Sequence, residues 1–138
     1  MFVLSFASDR MWAESFEGSD KNQLVACRYT VDTGFQLMQL KVFNSTLLVS
    51  WIKDYRKCEA PGPYFATCVV DDVKNVVTLK VVVTDLQDGE TRNFNCRTGY
   101  IVGEGMVYKD ANVTVTYTGK CLAIERSTHL SASLGEEK

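Results

Sequence analysis

The chain has 138 residues, with 46% hydrophobic and 23% charged side chains and a formal charge of -2 at pH 7. These proportions suit one globular domain, and the slight acidity, with no block of Lys or Arg, argues against nucleic acid as a partner held by phosphate neutralisation. No apolar run approaches the roughly 20 residues that cross a bilayer, and Met1 to Ala7 is too short and too uncharged at its start for a signal peptide, so a mature or excised ectodomain with no membrane span in this chain is expected.

Along the chain the dominant period is two, the period of a β-strand. Leu24 to Tyr29 puts Val25, Cys27 and Tyr29 on one face, and Gln36 to Phe43 does the same with Met38, Leu40 and Val42. Leu47 to Ile52 alternates through Leu47, Val49 and Trp51, a set that suits an inward face or an exposed pairing face. Val76 to Val83 is rich in β-branched residues, with Val77, Leu79, Val81 and Val83 opposite Thr78 and Lys80, as in a half-buried central strand. In Asn93 to Arg97, Phe94 and Cys96 point one way and the polar residues the other; Asn112 to Tyr117 alternates Val113, Val115 and Tyr117 with Asn112, Thr114 and Thr116. Turn residues punctuate these runs at Asp32-Thr33-Gly34, Asp71-Asp72, Asp88-Gly89, Gly103-Glu104-Gly105 and Lys109-Asp110-Ala111-Asn112. A helical period is missing throughout, and Asp85 to Arg92 admits one helical turn at most. Ser127 to Lys138 exchanges β-formers for Ser, Gly and Glu, so a domain over 1–125 followed by a dispensable tail over 126–138 is expected.

Five cysteines in so short a chain favour an oxidising compartment. Two sequons, Asn44-Ser45-Thr46 and Asn112-Val113-Thr114, lean the same way, and the second falls on the polar side of its alternating run. Together they predict an extracellular protein, secreted or the ectodomain of a membrane protein, glycosylated at Asn44 and Asn112.

Cys27 and Cys96 lie 69 positions apart (96 minus 27), each on a short alternating run, with Phe94 two residues before the second. In these features Phe2 to Glu125 resembles a divergent variable-type or intermediate-type domain of the immunoglobulin superfamily. The resemblance implies an all-β fold, a two-sheet antiparallel sandwich with Greek-key connections, and a Cys27–Cys96 disulfide through its core. Two departures stand out. Leu40 occupies the place of the family's core tryptophan, so Trp12 and Trp51 must sit elsewhere, and Phe94 keeps the packing of the corner tyrosine without its hydroxyl. Gly103-Glu104-Gly105 is readable as the family's glycine bulge or as a plain hairpin turn.

Cys58 and Cys68 enclose a loop containing Pro61-Gly62-Pro63, which favours a local disulfide. That loop either displays Tyr64 and Phe65 to a partner or only pins an edge strand. Cys121 is left over, as a buried free thiol, an intermolecular bridge or half of a bond to a cysteine outside this chain. Arg97 to Tyr108 reads as a twisted hairpin with an apolar tip, where Tyr100, Ile101, Met106 and Tyr108 either form a contact surface or pack inward.

Catalysis and cofactors find no support. A nucleophile elbow, a phosphate loop and zinc spacing are all missing, the single His129 lies in the polar tail, and Asp85, Asp88 and Glu90 lack calcium-loop spacing and suit a corner turn. Neither a metal nor a cofactor is expected, and the protein is not expected to be an enzyme. The resemblance implies a recognition or adhesion module that binds a protein or glycan, with pairing to a like domain through the sheet carrying Gln36–Phe43, Leu47–Ile52 and Arg92–Val102, centred on Trp51, Tyr55, Tyr100 and Tyr108. A secreted effector of immunomodulatory or opsonin type on the same sandwich is the alternative; a β-barrel carrier of small apolar ligands would need a cavity in place of the core bridge.

Overall fold

A computed structural model describes residues 11–15, 22–42, 46–117 and 122–126. The described residues form ten strands and no helix: β1 (Met11–Ser15), β2 (Gln23–Thr30), β3 (Phe35–Val42), β4 (Leu47–Ile52), β5 (Lys57–Glu59), β6 (Phe65–Asp71), β7 (Val76–Val83), β8 (Thr91–Val102), β9 (Gly105–Tyr117) and β10 (Leu122–Arg126). They assemble into a four-stranded antiparallel sheet, ordered β1-β2-β7-β6, and a six-stranded one, ordered β10-β9-β8-β3-β4-β5. The two sheets pack together as a sandwich.

The period-two pattern decides which side chains enter the core. Val25, Cys27 and Tyr29 of β2 meet Val77, Leu79 and Val81 of β7 within their own sheet, and all six are buried. From the facing sheet come Met38, Leu40, Val49, Phe94, Cys96, Val113 and Val115, also buried. Cys27 and Cys96 join the sheets with Cα atoms 6.1 Å apart, and Leu40 lies directly opposite Cys96 on the neighbouring strand.

Two irregularities in the β3 pairings set the faces of the six-stranded sheet. Phe35 pairs with Tyr100 pointing inward, but the next pair, Leu37 with Gly99, points outward because Gln36 is an extra residue in β3. A second shift, between Leu40 and Lys41, makes Leu48 the extra residue in β4. Before that shift the β3–β4 register is unbroken, and in it Trp51 stands opposite buried Met38 and is itself buried. The parity that suggested a pairing face for Trp51 therefore resolves to the core.

Cys58 and Cys68, with Cα atoms 6.0 Å apart, connect β5 to β6, the outermost strands of the two sheets on the same margin. The bond closes that edge of the sandwich. Two disulfides in so small a domain suggest an oxidising extracellular environment.

One sequence expectation gives way to the structure. Lys109-Asp110-Ala111-Asn112 is the middle of β9 and makes no turn; Ala111 is buried opposite Cys96, while Asp110 and Asn112 are held from β8 by Arg97 and Asn95. Asp85 to Arg92 contains no helical turn. It is an irregular corner in which the Glu90 carboxylate accepts from the Gln87 N–H at 2.9 Å and from the Arg92 guanidinium at 2.6 Å. Asn44, Cys121, His129 and the tail from 127 onward lie outside the described residues.

Candidate functional site

The outward face of the six-stranded sheet divides sharply into two halves along the β8–β9 ladder. One half is a run of four cross-strand pairs joined by side-chain hydrogen bonds: Thr91 with Thr116 at 2.8 Å, Asn93 with Thr114 at 2.7 Å, Asn95 with Asn112 at 2.8 Å and Arg97 with Asp110 at 2.9 Å, although the buried Asn95 Oδ1 has no partner among the described residues. The next pairs along the ladder are Gly99 with Tyr108 and Ile101 with Met106. From that point the face is apolar.

Register carries the apolar half across the sheet. Tyr108, Gly99, Leu37 and Ile52 occupy one row over β9, β8, β3 and β4. Beside this row Ile101 and Met106 continue toward the hairpin turn, and Val102 and Val107 are exposed on the other side of the same tip. Gly99 forms the floor: a Cβ added there would come within 3.0 Å of Tyr108 Cε1, 3.1 Å of Met106 Cε and 3.3 Å of Leu37 Cγ, so three side chains converge over the position.

The tip extends from a closed base. Gly34, at φ 86°, lets the chain enter β3, and its carbonyl accepts from the Ile101 N–H at 2.8 Å. The Val102–Gly105 pair closes the turn around Gly103, which adopts φ 63° as the first central residue of a two-residue loop. Gly103-Glu104-Gly105 is thus a hairpin turn.

Two ion pairs lie on this face. The Arg97 guanidinium sits between the Asp110 carboxylate and the Tyr108 ring, 5.0 Å from its centroid. The hydrogen bonds from Arg97 hold the Asp110 carboxyl below the usual carboxylate range despite its partial burial, and the same contact raises Arg97. At the far edge Lys57 pairs with Glu59 at 3.1 Å.

The aromatic residues expected at a contact surface are distributed over distinct environments. Tyr108 and Met106 lie on the apolar half-face, 47% and 41% exposed. Tyr100 does not; it points inward on the opposite side of β8, where its hydroxyl donates to Tyr29 and that of Tyr29 donates to the Asp32 carboxylate at 3.1 Å. Burial and these hydrogen bonds raise the Tyr29 hydroxyl far above its ordinary value. Trp51 and Tyr100 are core residues, which corrects the expectation of a contact face centred on them; the apolar residues on the outward face are Tyr108, Met106, Ile101, Leu37 and Ile52.

Tyr55 is exposed in the β4–β5 turn, which the Ile52–Lys57 pair closes at the end of that row. Phe65, 71% exposed, lies on the outer face of the other sheet, opposite Val82. Tyr64 is drawn into an ion cluster at the base of the sandwich: Arg92 donates to its hydroxyl at 2.7 Å and to Asp85 at 2.8 Å, and the Tyr64 hydroxyl donates to Asp85 at 2.6 Å. Burial pushes the Asp85 carboxyl up, but hydrogen bonds from Tyr64 and Arg92 outweigh it and the net shift is downward. The Glu90 carboxyl is also lowered, first by the Gln87 N–H and then by Arg92.

Among the described residues no three His, Cys, Asp or Glu side chains gather as a metal site requires. None of the described segments is a helix long and apolar enough to cross a membrane. A depression of about 400 Å³ on the four-stranded sheet, edged by Arg28, Asp71 and Lys74, mixes charges of both signs over a β-strand surface. Leu37 and Ile52 were not singled out by the sequence, since a leucine or isoleucine on an alternating strand fits either face until the register is known; Ile101 was expected on the hairpin tip and is exposed there. A scan against protein-family models finds no match for this chain, and a search of curated protein sequences finds none either.

Proposed function

We propose that this domain is an extracellular recognition module of immunoglobulin-like, variable type, and that it binds a like domain through the hairpin end of the outward face of its six-stranded sheet. The observation that carries the reading is the row Tyr108, Gly99, Leu37 and Ile52 with Ile101 and Met106 beside it, a contiguous apolar area on an otherwise hydrogen-bonded sheet face. Aromatic and Met side chains are favoured in the cores of protein interfaces, and such an area is unusual on a monomer's surface. Strand order supports the family resemblance: two extra strands, β4 and β5, extend the sheet that carries the second core cysteine, as they do in variable-type domains.

Charge favours a like domain over a strongly charged partner. Arg97 with Asp110 and Lys57 with Glu59 pair within the face, and Lys41, the remaining cation of the Asn95–Asn112 row, lies toward the polar half, so two copies meet at the hairpin end through apolar side chains. A two-fold arrangement would bring each Tyr108 against apolar side chains of the other copy. A second copy of the chain is the available probe. Sedimentation over a concentration series should show self-association that Ile101→Lys and Met106→Lys abolish while Tyr55→Ala leaves it intact. A strict monomer at the highest concentration, with no effect of either lysine, would sink the proposal.

A further inference from the structure

We infer that Asn112 is an N-glycosylation site whose glycan stands over the polar half of the six-stranded sheet, so that macromolecules reach this face only at its hairpin end. Three asparagines line the outward ladder or its bonds, Asn93, Asn95 and Asn112, and only Asn112 begins an Asn-X-Thr triplet. Asn112 also has the side-chain geometry the linkage requires. Its Oδ1 accepts from Asn95 Nδ2 at 2.8 Å, while its own Nδ2 donates to none of the described residues. The cross-strand bond and the glycosidic bond therefore use different atoms of one amide, and both can exist together.

The transfer needs an oligosaccharide carried on a lipid diphosphate. The Asn112 Nδ2 attacks the anomeric carbon, the C–O bond to the diphosphate breaks, and the lipid diphosphate leaves with the bond's electron pair while one amide proton is lost to solvent. No oxidant or reductant enters.

Position on the sheet gives the glycan its consequence. Asn112 shares a row with Asn95 and Lys41, two strands away and so about 10 Å across the sheet at ordinary strand spacing. Tyr108 lies four residues back along β9, roughly 14 Å from the attachment point at about 3.4 Å per residue. A bulky, solvated chain rooted there overhangs Lys41 and the asparagine ladder and leaves the hairpin tip bare. This site stands whether or not a like domain is the partner.

The test uses the full chain secreted from a eukaryotic host. Trypsin isolates Asn112 in the peptide over residues 110–120, separate from Asn44, and amidase release in heavy-oxygen water should convert Asn112 to a labelled aspartate. Thr114→Ser should keep the modification; Thr114→Ala and Asn112→Gln should each lose it. Labelling of the folded protein with a bulky amine-reactive polyethylene glycol should be severalfold slower at Lys41 in the wild type and Thr114→Ser than in the two unglycosylated variants, and unchanged at Lys109. An unmodified Asn112 peptide overturns the site. A modified peptide with equal Lys41 labelling in all four proteins overturns the shield, and neither result bears on the effect of Ile101→Lys.

Discussion

Leu40 stands directly opposite Cys96 across the β3–β8 ladder, both facing the core, so an aliphatic side chain packs against the strand that carries the central disulfide. The surroundings are closed: Leu40 is fully buried, and so are its neighbours Met38, Val49 and Phe94. Leu40→Ala should destabilise the domain by about 2 to 5 kcal/mol, the usual range for a leucine removed from a packed core. Leu40→Trp, which restores the family's residue, should cost about 1 to 3 kcal/mol because this core is filled around a smaller side chain. Urea titration reads both, and a Leu40→Trp variant as stable as wild type would show unfilled space beside the bridge.

The two disulfides differ in exposure, and their chemistry should differ accordingly. Cys27 and Cys96 are buried between the sheets, whereas Cys58 is exposed on the three-residue edge strand β5. Thiol–disulfide exchange requires access of the attacking thiolate. Mild reduction under native conditions followed by alkylation should label Cys58 and Cys68 first, with Cys27 and Cys96 reacting only on unfolding. Removing the edge bond should cost about 2 to 3 kcal/mol on the loop-entropy model and leave the sandwich folded. Peptide mapping showing Cys27 and Cys96 labelled at the same rate would contradict the burial of the central bond.

Much of the sandwich was legible because in β2 and β7 every second residue, Val25, Cys27 and Tyr29 and Val77, Leu79, Val81 and Val83, is apolar and buried. The middle of β9 was not. Lys109, Asp110 and Asn112 are turn formers by local preference, and what makes them strand is a partner strand offering Arg97 and Asn95 at the matching height. The site was half legible for the same reason. Ile101, Met106 and Tyr108 announce themselves as apolar residues near a turn, but the direction of Trp51 and the joining of Leu37 to Ile52 depend on the β3–β4 register, and the inward turn of Phe35 and of Leu48 on extra residues at Gln36 and Leu48. An insertion of that kind is set by pairing across strands far apart in sequence, which periodicity within one strand does not encode.

Acid should weaken the domain through the Arg92 cluster. Asp85 and Glu90 have folded pKa values below their unfolded ones. Such groups contribute stability that is present above the unfolded carboxylate range, near pH 4, and lost as the pH falls through the folded values. Denaturant midpoints should therefore hold between pH 7 and 5 and decline below about pH 4. Arg92→Gln should flatten that decline and lower stability at pH 7 by about 1 to 2 kcal/mol, a modest figure because Asp85 is largely exposed to solvent. An unchanged acid limb in Arg92→Gln would assign the decline to other carboxylates.

Trp51 is only 6% exposed, with the Arg56 guanidinium 5.6 Å from its ring centroid. In a Trp12→Phe background, its emission should be shielded from acrylamide and should remain so at concentrations where the protein self-associates. Strong quenching in the dilute protein would place Trp51 at the surface after all.

The floor at Gly99 separates binding from folding. A methyl group there meets side chains alone, Tyr108 at 3.0 Å, Met106 at 3.1 Å and Leu37 Cγ at 3.3 Å, so Tyr108 and Met106 must swing outward and Leu37 shift by a few tenths of an ångström. Folding should tolerate this, with a net change in stability under about 1 kcal/mol, since alanine also removes the penalty of glycine within a strand. The surface should not tolerate it: displacing Tyr108 also takes its ring from beneath Arg97 and breaks the flat row that continues to Leu37 and Ile52. Gly34→Ala is the contrasting substitution. Its Cβ would lie 2.5 Å from the Ile101 carbonyl oxygen on a backbone at φ 86°, so neither a side-chain rotation nor an ordinary backbone adjustment accommodates it. Gly99→Ala should leave the unfolding midpoint nearly unchanged and weaken self-association severalfold, while Gly34→Ala should lower the midpoint sharply. If sedimentation of Gly99→Ala matches wild type across the whole concentration series, the row through Gly99 is not where the partner rests.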